Sequence, residues 1–189
     1  MDRDYWDSIS HPHRKYLQAS IAELEPARIL EVGANCGPNL YLLGRQYPDA
    51  EVMGIEINQE AVTIGRRLLK DAGVFNARLD VGQAEHLFAF KDNQFDVVFT
   101  DATLIYIHPE NIIEVLKQMA RIARKGFVMV ERQSTKEHYY GRIWLRDYPK
   151  LIKQVSPESI INITKITADM WPDKGWQENG AIIQVKKEK

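Results

Sequence analysis

The residues best placed to do chemistry lie between positions 29 and 40. There Ile29-Leu-Glu-Val-Gly-Ala-Asn-Cys-Gly-Pro-Asn-Leu40 joins an apolar run to a glycine loop and then to a helix start. Gly33 and Gly37 have no Cβ, so this loop can take positive φ and let its backbone approach a ligand closely. Pro38 suits a first helical turn, where its missing N–H costs nothing. The N–H groups of that turn favour a ligand carboxylate or phosphate. Two familiar loop patterns fail here. No Gly-Lys-Ser/Thr follows the glycines, so the loop is not a phosphate P-loop. Asn35 occupies the second glycine position of G-x-G-x-x-G, so the dinucleotide fingerprint fails too. What remains is Glu31-x-Gly33-x-Asn35-x-Gly37. A second carboxylate, Glu56, closes the run Val52-Met-Gly-Ile-Glu56 about 20 residues further on, where an α/β nucleotide site grips ribose hydroxyls.

These groups need a scaffold, and the hydrophobic pattern supplies one. Residues 13–24 read as an amphipathic helix with Tyr16, Leu17, Ile21 and Leu24 apolar. Strands are expected at 27–32, 51–56, 76–81, 95–100, 127–131, 160–168 and 180–186. Helices are expected at 38–46, 58–71, from Pro109 to Arg124, and over 139–154. Asn58 caps the second of these and Gly73 stops it. Strands alternating with helices imply a doubly wound, mostly parallel sheet. The last two strands are expected as an antiparallel pair. The fold class is therefore α/β: a Rossmann-like sheet of seven strands with a C-terminal antiparallel hairpin. The whole chain, 1–189, reads as one domain, with 1–25 a helical cap.

Two further segments complete a pattern. Ala77-Arg-Leu-Asp-Val81 is followed by Gly82-Gln-Ala-Glu85, and Phe95-Asp-Val-Val-Phe-Thr-Asp101 is a buried strand ending in a carboxylate. Together with Glu31–Gly37 and Glu56, these segments resemble the ordered motifs of the class I S-adenosylmethionine-dependent methyltransferases. The resemblance spans nearly the whole chain. It implies S-adenosyl-L-methionine as cofactor. It also implies that Gly33, Ala34, Asn35 and Gly37 line the methionine half, with Glu31 ordering the loop. Glu56 and Ile57 then flank ribose and adenine, Gln83 and Ala84 meet the adenine, and Thr100 and Asp101 lie beside the methyl. Most members carry an acid where this chain has Gln83, whose carbonyl can still accept from the adenine amino group. Thr103–Glu110, Val130-Glu-Arg132, Trp144–Asp147 and the closing Asp-x-x-x-Trp pattern are loosely similar to methylases encoded with pseudaminic acid biosynthesis. That likeness implies a small polar acceptor, with an acidic sugar as one form.

The acceptor side offers fewer signals. His108 precedes Pro109 on the substrate face and is a candidate base; a capping histidine is the competing reading. Tyr106 is a candidate contact. Arg142 and Arg146 could clamp an acidic group, or could snorkel from a helix packed on the sheet. The acceptor pocket is expected to be completed by residues 1–20, by residues 132–148 or by a second subunit, so a homodimer is among the expectations. The formal net charge of −1 gives no broad basic surface for a nucleic-acid partner. No apolar run reaches membrane-spanning length. Met1-Asp-Arg-Asp-Tyr-Trp6 lacks the apolar core of a secretory signal, so a cytoplasmic protein is expected. No Cys/His spacing suggests a metal. Alternatives are an RNA or protein methyltransferase, and a non-catalytic cofactor-binding partner subunit.

Overall fold

The computed structural model describes residues 5–188. Seven strands form one sheet: β1 (Arg28–Val32), β2 (Glu51–Glu56), β3 (Ala77–Val81), β4 (Phe95–Asp101), β5 (Ala123–Arg132), β8 (Ile160–Lys165) and β9 (Gly180–Lys186). Their order is β3-β2-β1-β4-β5-β9-β8. β3, β2, β1, β4 and β5 run parallel, while β9 is antiparallel to both β5 and β8. The central strands read as continuous apolar runs because both faces are covered, as parallel sheets require. β4 is buried at every position. Chain order reverses between β1 and β4, so a crevice opens at the carboxyl ends of these strands.

Successive residues of a strand face opposite layers. Phe127 and Met129 of β5 join Phe95 and Val98 under α4 (Pro109–Ile122) and α5 (Tyr148–Val155). Val128 and Val130 join Val97 and Phe99 on the other face, under α1 (His13–Ala22), α2 (Pro38–Gln46) and α3 (Gln59–Asp71). The carboxylate of Asp96 is buried at the start of β4, accepts from the N–H groups of Ala27 and Arg28, and pairs with Arg124 at 2.7 Å. That anchor fixes where β1 begins.

One expected element is different. Residues 139–154 are not a continuous helix. His138–Tyr140 (β6) and Ile143–Leu145 (β7) form a two-stranded antiparallel hairpin, and α5 starts only at Tyr148, capped by the Asp147 side chain. Gly141 sits at φ 65° and makes the turn. Tyr139 pairs across the ribbon with Trp144, ring centroids 5.0 Å apart. The apolar spacing suits either period over so short a run, and the glycine decides it. A smaller shift concerns β5, which begins at Ala123 where a last helical turn was expected.

Candidate functional site

The glycine loop is shaped by close packing from behind. Gly33 (φ 79°) and Asn35 (φ 49°) both take left-handed backbone angles. The N–H groups of Gly33 and Ala34 both donate to the Ile55 carbonyl, tying the loop to β2. A Cβ on Gly33 would stand 2.3 Å from Thr103 Oγ1, so no side chain fits there. Ala34 is buried against Gly54, and Gly37 (φ 82°) turns the chain into α2.

In front of the loop lies a cavity of about 520 Å³. Of the residues expected at the cofactor, Gly33, Asn35, Glu56, Ile57, Gln83, Ala84 and Asp101 line it, as does Tyr106, expected as an acceptor contact. They come from the carboxyl ends of four neighbouring strands. The carboxylate of Glu56 accepts from the Asn35 and Asn58 N–H groups, each at 2.9 Å. Those bonds aim it along the cavity wall and leave lone pairs for further donors. Ile57 is 64% exposed beside it, an apolar face open to a flat ring. The donor set fits S-adenosylmethionine: a carboxylate for ribose hydroxyls, an apolar shelf and an amide at Gln83 for adenine, and a tight glycine turn beside the β1 end.

Behind that cavity is a buried polar cluster centred on Asp101. Its carboxylate accepts from His13 Nε2 at 2.9 Å, Arg14 Nη1 at 2.9 Å and Asn39 Nδ2 at 3.0 Å. Burial alone would raise Asp101, but His13, Arg14 and Asn39 outweigh it and hold the carboxyl at about 2. Asn39 Nδ2 also donates to Glu31 at 2.7 Å, while Glu31 Oε2 is buried with no partner. Burial pushes Glu31 up to about 8, so it carries a proton at neutral pH. Two carboxyl groups bridged by one amide are thus driven to opposite charge states.

Asp101, Ala102, Tyr106 and Tyr5 also line a second cavity of about 330 Å³ on the other side of this partition. Its remaining wall includes His11, His13, Arg132, Ile143, Trp171 and Trp176. Trp171 stacks on Trp176 at 3.9 Å and on His13 at 4.2 Å. His13 Nδ1 lies within hydrogen-bond distance of His11 Nδ1. His13 Nε2 faces a carboxylate and must carry hydrogen. In the neutral pair His11 Nδ1–H therefore donates to His13 Nδ1, and His11 Nε2 keeps its lone pair. Burial, His13 and Arg14 all depress His11 below the usual imidazole value.

Several expected residues lie elsewhere. Glu31, Ala34, Gly37 and Thr100 sit behind the first cavity rather than in its lining. Thr100 is fully buried and donates to Glu131 Oε1 at 2.8 Å. His108 lines neither cavity; it is the N-cap of α4 and accepts from the Glu110 N–H. Arg142 is exposed at the β6–β7 turn. Arg146 is fully buried: it pairs with Glu137 at 2.9 Å and donates to the carbonyls of Leu104 and Ile107. Its guanidinium is spent on holding the loop after β4, which corrects its expected role as a substrate clamp.

Sequence reasoning missed three features of this region. Glu131 is buried and accepts from the backbone of Thr103, Leu104 and Ile105, which clamps the loop forming the partition. The signal was an acid closing the apolar run Phe127–Val130. His13 and Arg14 open the amphipathic helix without any sign of function in its pattern, yet both are at most 3% exposed. Arg132, the last residue of β5, was noted only as part of a likeness.

A sheet of this order, with a glycine loop after β1, an acid after β2 and a cavity at the β1/β4 switch, is the class I S-adenosylmethionine-dependent methyltransferase architecture. The sequence agrees: a family profile described as a methyltransferase domain matches residues 29–126, just over half of the chain. The chain belongs to that family, whose cofactor is S-adenosylmethionine. A curated relative, "Probable methyltransferase ltbC" of Aspergillus luteorubrus, is 25% identical over 145 residues, 69% of this chain and 50% of its own length. The chain spans about half the length of the first curated relatives it matches. The N-terminal domain of EvdMO1, crystallised in the presence of SAH and D-fucose, has a TM-score of 0.67 at 17% identity, covering 91% of this chain and 82% of its own. The [4+2]-cyclase SpnF has a TM-score of 0.68 at 14% identity, over 85% of this chain and 75% of its own. Likeness at these identities shows the fold alone. Among the described residues no helix is long and apolar enough to cross a membrane.

Proposed function

We propose that the chain transfers a methyl group from S-adenosylmethionine to a small polar acceptor seated in the second cavity. The observation that carries this reading is the partition itself: Asp101, Ala102, Tyr106 and Tyr5 are shared by a cofactor-sized cavity and a smaller neighbour. A donor in one and an acceptor in the other would meet across it. The cofactor supplies a methyl already activated on a sulfonium. The protein's task is then mainly to hold the reactants in line, which can contribute roughly 7–11 kcal/mol.

The cofactor roles follow the lining. Glu56 would accept from the ribose hydroxyls, and Ile57, Gln83 and Ala84 would hold the adenine. Gly33 and Asn35 would border the methionine half. Glu31 and Thr100 would support from behind. On the acceptor side His11 replaces His108 as the candidate base. Its Nε2 can take the proton of a hydroxyl or ammonium, while its Nδ1 proton passes to His13. The imidazolium left on His13 faces Asp101, so the charge is neutralised where it settles. The test is turnover: methyl transfer from labelled S-adenosylmethionine across a panel of small hydroxy and amino acceptors, with activity in the wild type and loss in His11→Gln. Activity that appears only when another protein is added would favour the partner-subunit reading.

A further inference from the structure

Arg132 differs from every other partly or fully buried arginine near it. Arg14 donates to Ser8, Asn39 and Asp101. Arg146 has Glu137 and two carbonyls, and Arg124 has Asp96. Arg132 makes no ion pair and no side-chain hydrogen bond among the described residues, and its Nε is buried with no partner at all. The acid on the adjoining loop, Asp173, caps α6 (Lys174–Asn179) by accepting from the Trp176 N–H at 3.0 Å and makes no ion pair with Arg132. The guanidinium is wedged against Gly175, where an added Cβ would stand 2.9 Å from Nη2. Glycine there keeps the room the fork occupies.

The charge balance of the cavity points the same way. Arg14 and Arg132 line it, and its acid, Asp101, is already paired with Arg14. Among the charged groups that line the cavity, Arg132 is left without an acid of its own. An unpaired guanidinium is a planar two-pronged donor that matches a carboxylate or phosphate. An anion in the cavity would pair the charge of this guanidinium, which no acid among the described residues does. The cavity, about 330 Å³, is at the small end for ligand pockets.

We propose that the acceptor is a small anion whose carboxylate or phosphate sits on the Arg132 fork, with its nucleophile turned toward His11. This rests on the methyl-transfer reading of the same cavity. Arg132 thereby takes the place that Arg142 and Arg146 held in the sequence-based expectation.

The test titrates the protein loaded with S-adenosylhomocysteine by calorimetry, using glucose, glucuronate and glucose 6-phosphate, then glycerol, glycerate and glycerol 3-phosphate. Wild type should bind at least one acid of a set saturably and at least tenfold more tightly than its neutral counterpart. Whether the carboxylate or the phosphate member binds identifies the anion. Arg132→Gln should lose about ten- to a hundredfold of that affinity while its affinity for S-adenosylhomocysteine stays unchanged. Arg132→Lys, which keeps charge without the fork, should fall between. Lys117→Gln, on the far side of α4, should match wild type. The proposal is overturned if the neutral probes bind as tightly as the acids, if no acid binds, or if Arg132→Gln binds the acids like wild type. Should Arg132→Gln not fold, the acid-over-neutral preference of the wild type decides alone. Failure to bind S-adenosylhomocysteine in the first step would instead sink the methyltransferase reading.

Discussion

The two cavities that meet at Asp101 are built in different ways. The proposed cofactor cavity takes all of its walls but Tyr5 from the carboxyl ends of β1, β2, β3 and β4 and the few residues that follow them. The proposed acceptor cavity gathers His11, Arg132, Ile143 and Trp171 from segments far apart in the chain. The first is held by backbone geometry: positive φ at Gly33 and Asn35, and N–H groups tied to Ile55 and Glu56. The second is held by side-chain charge, in a network of buried carboxylates, imidazoles and guanidiniums. The first should therefore be sensitive to shape and nearly indifferent to pH. The second should respond to charge and pH and tolerate modest changes of shape.

The largest effect is expected in the first cavity. Gly33→Val forces a side chain into the Thr103 hydroxyl at a left-handed backbone angle. Cofactor binding should disappear in calorimetry and the melting temperature should fall. Retained binding would mean that the loop moves freely. Next comes Asp101→Asn in the partition. It removes the charge that His13 and Arg14 share, and methyl transfer should drop by roughly 10²–10⁴-fold if the histidine pair is the base. Cofactor affinity should change far less. A parallel loss of both would erase the distinction between the cavities. Glu56→Ala, by contrast, should weaken cofactor binding about ten- to a hundredfold, because hydrogen bonds to a charged group contribute roughly 1.5–3 kcal/mol.

The pH predictions separate the regions further. His11 is depressed by burial and by its neighbours His13 and Arg14. The rate should rise with pH through a limb lying below the ordinary imidazole range, and His11→Gln should remove that limb. Glu31 contributes to stability with the opposite sign to a paired carboxylate. Its folded value of about 8 lies above its ordinary 4.5. The folded state is therefore not penalised below the ordinary value, and loses stability as pH rises toward 8. Glu131, raised to about 7 by burial, acts the same way. Glu31→Gln should flatten the fall in melting temperature between pH 5 and 9 without abolishing it. An unchanged fall would show that Glu31 is ionised in the fold.

The same contrast explains what could be read from the sequence. Loops that follow strands carry their geometry in local residue order, so Gly33, Asn35, Glu56, Ile57, Gln83 and Ala84 were legible along with the strands that present them. The parallel order and the antiparallel final pair followed from hydrophobic period and connection length. The acceptor cavity has no such local record. His13 and Arg14 look like the wet side of a helix until Asp101, 88 positions from His13, is brought against them. The sequence singles out Arg146 as a candidate substrate clamp and passes over Arg132. Only the fold shows that Glu137 and two carbonyls occupy the first, while the second has no partner among the described residues. The hairpin at 138–145 was misread because a short aromatic run fits two periods, and a single glycine settles which one forms.

The central claim, that the cavity after β1, β2 and β4 is an S-adenosylmethionine site, is tested most directly by calorimetric titration of the wild-type chain with S-adenosylhomocysteine and, separately, with NAD. The account predicts one-to-one binding of S-adenosylhomocysteine, weakened at least tenfold by Glu56→Ala, and no binding of NAD. Binding of NAD with no response to S-adenosylhomocysteine would contradict it.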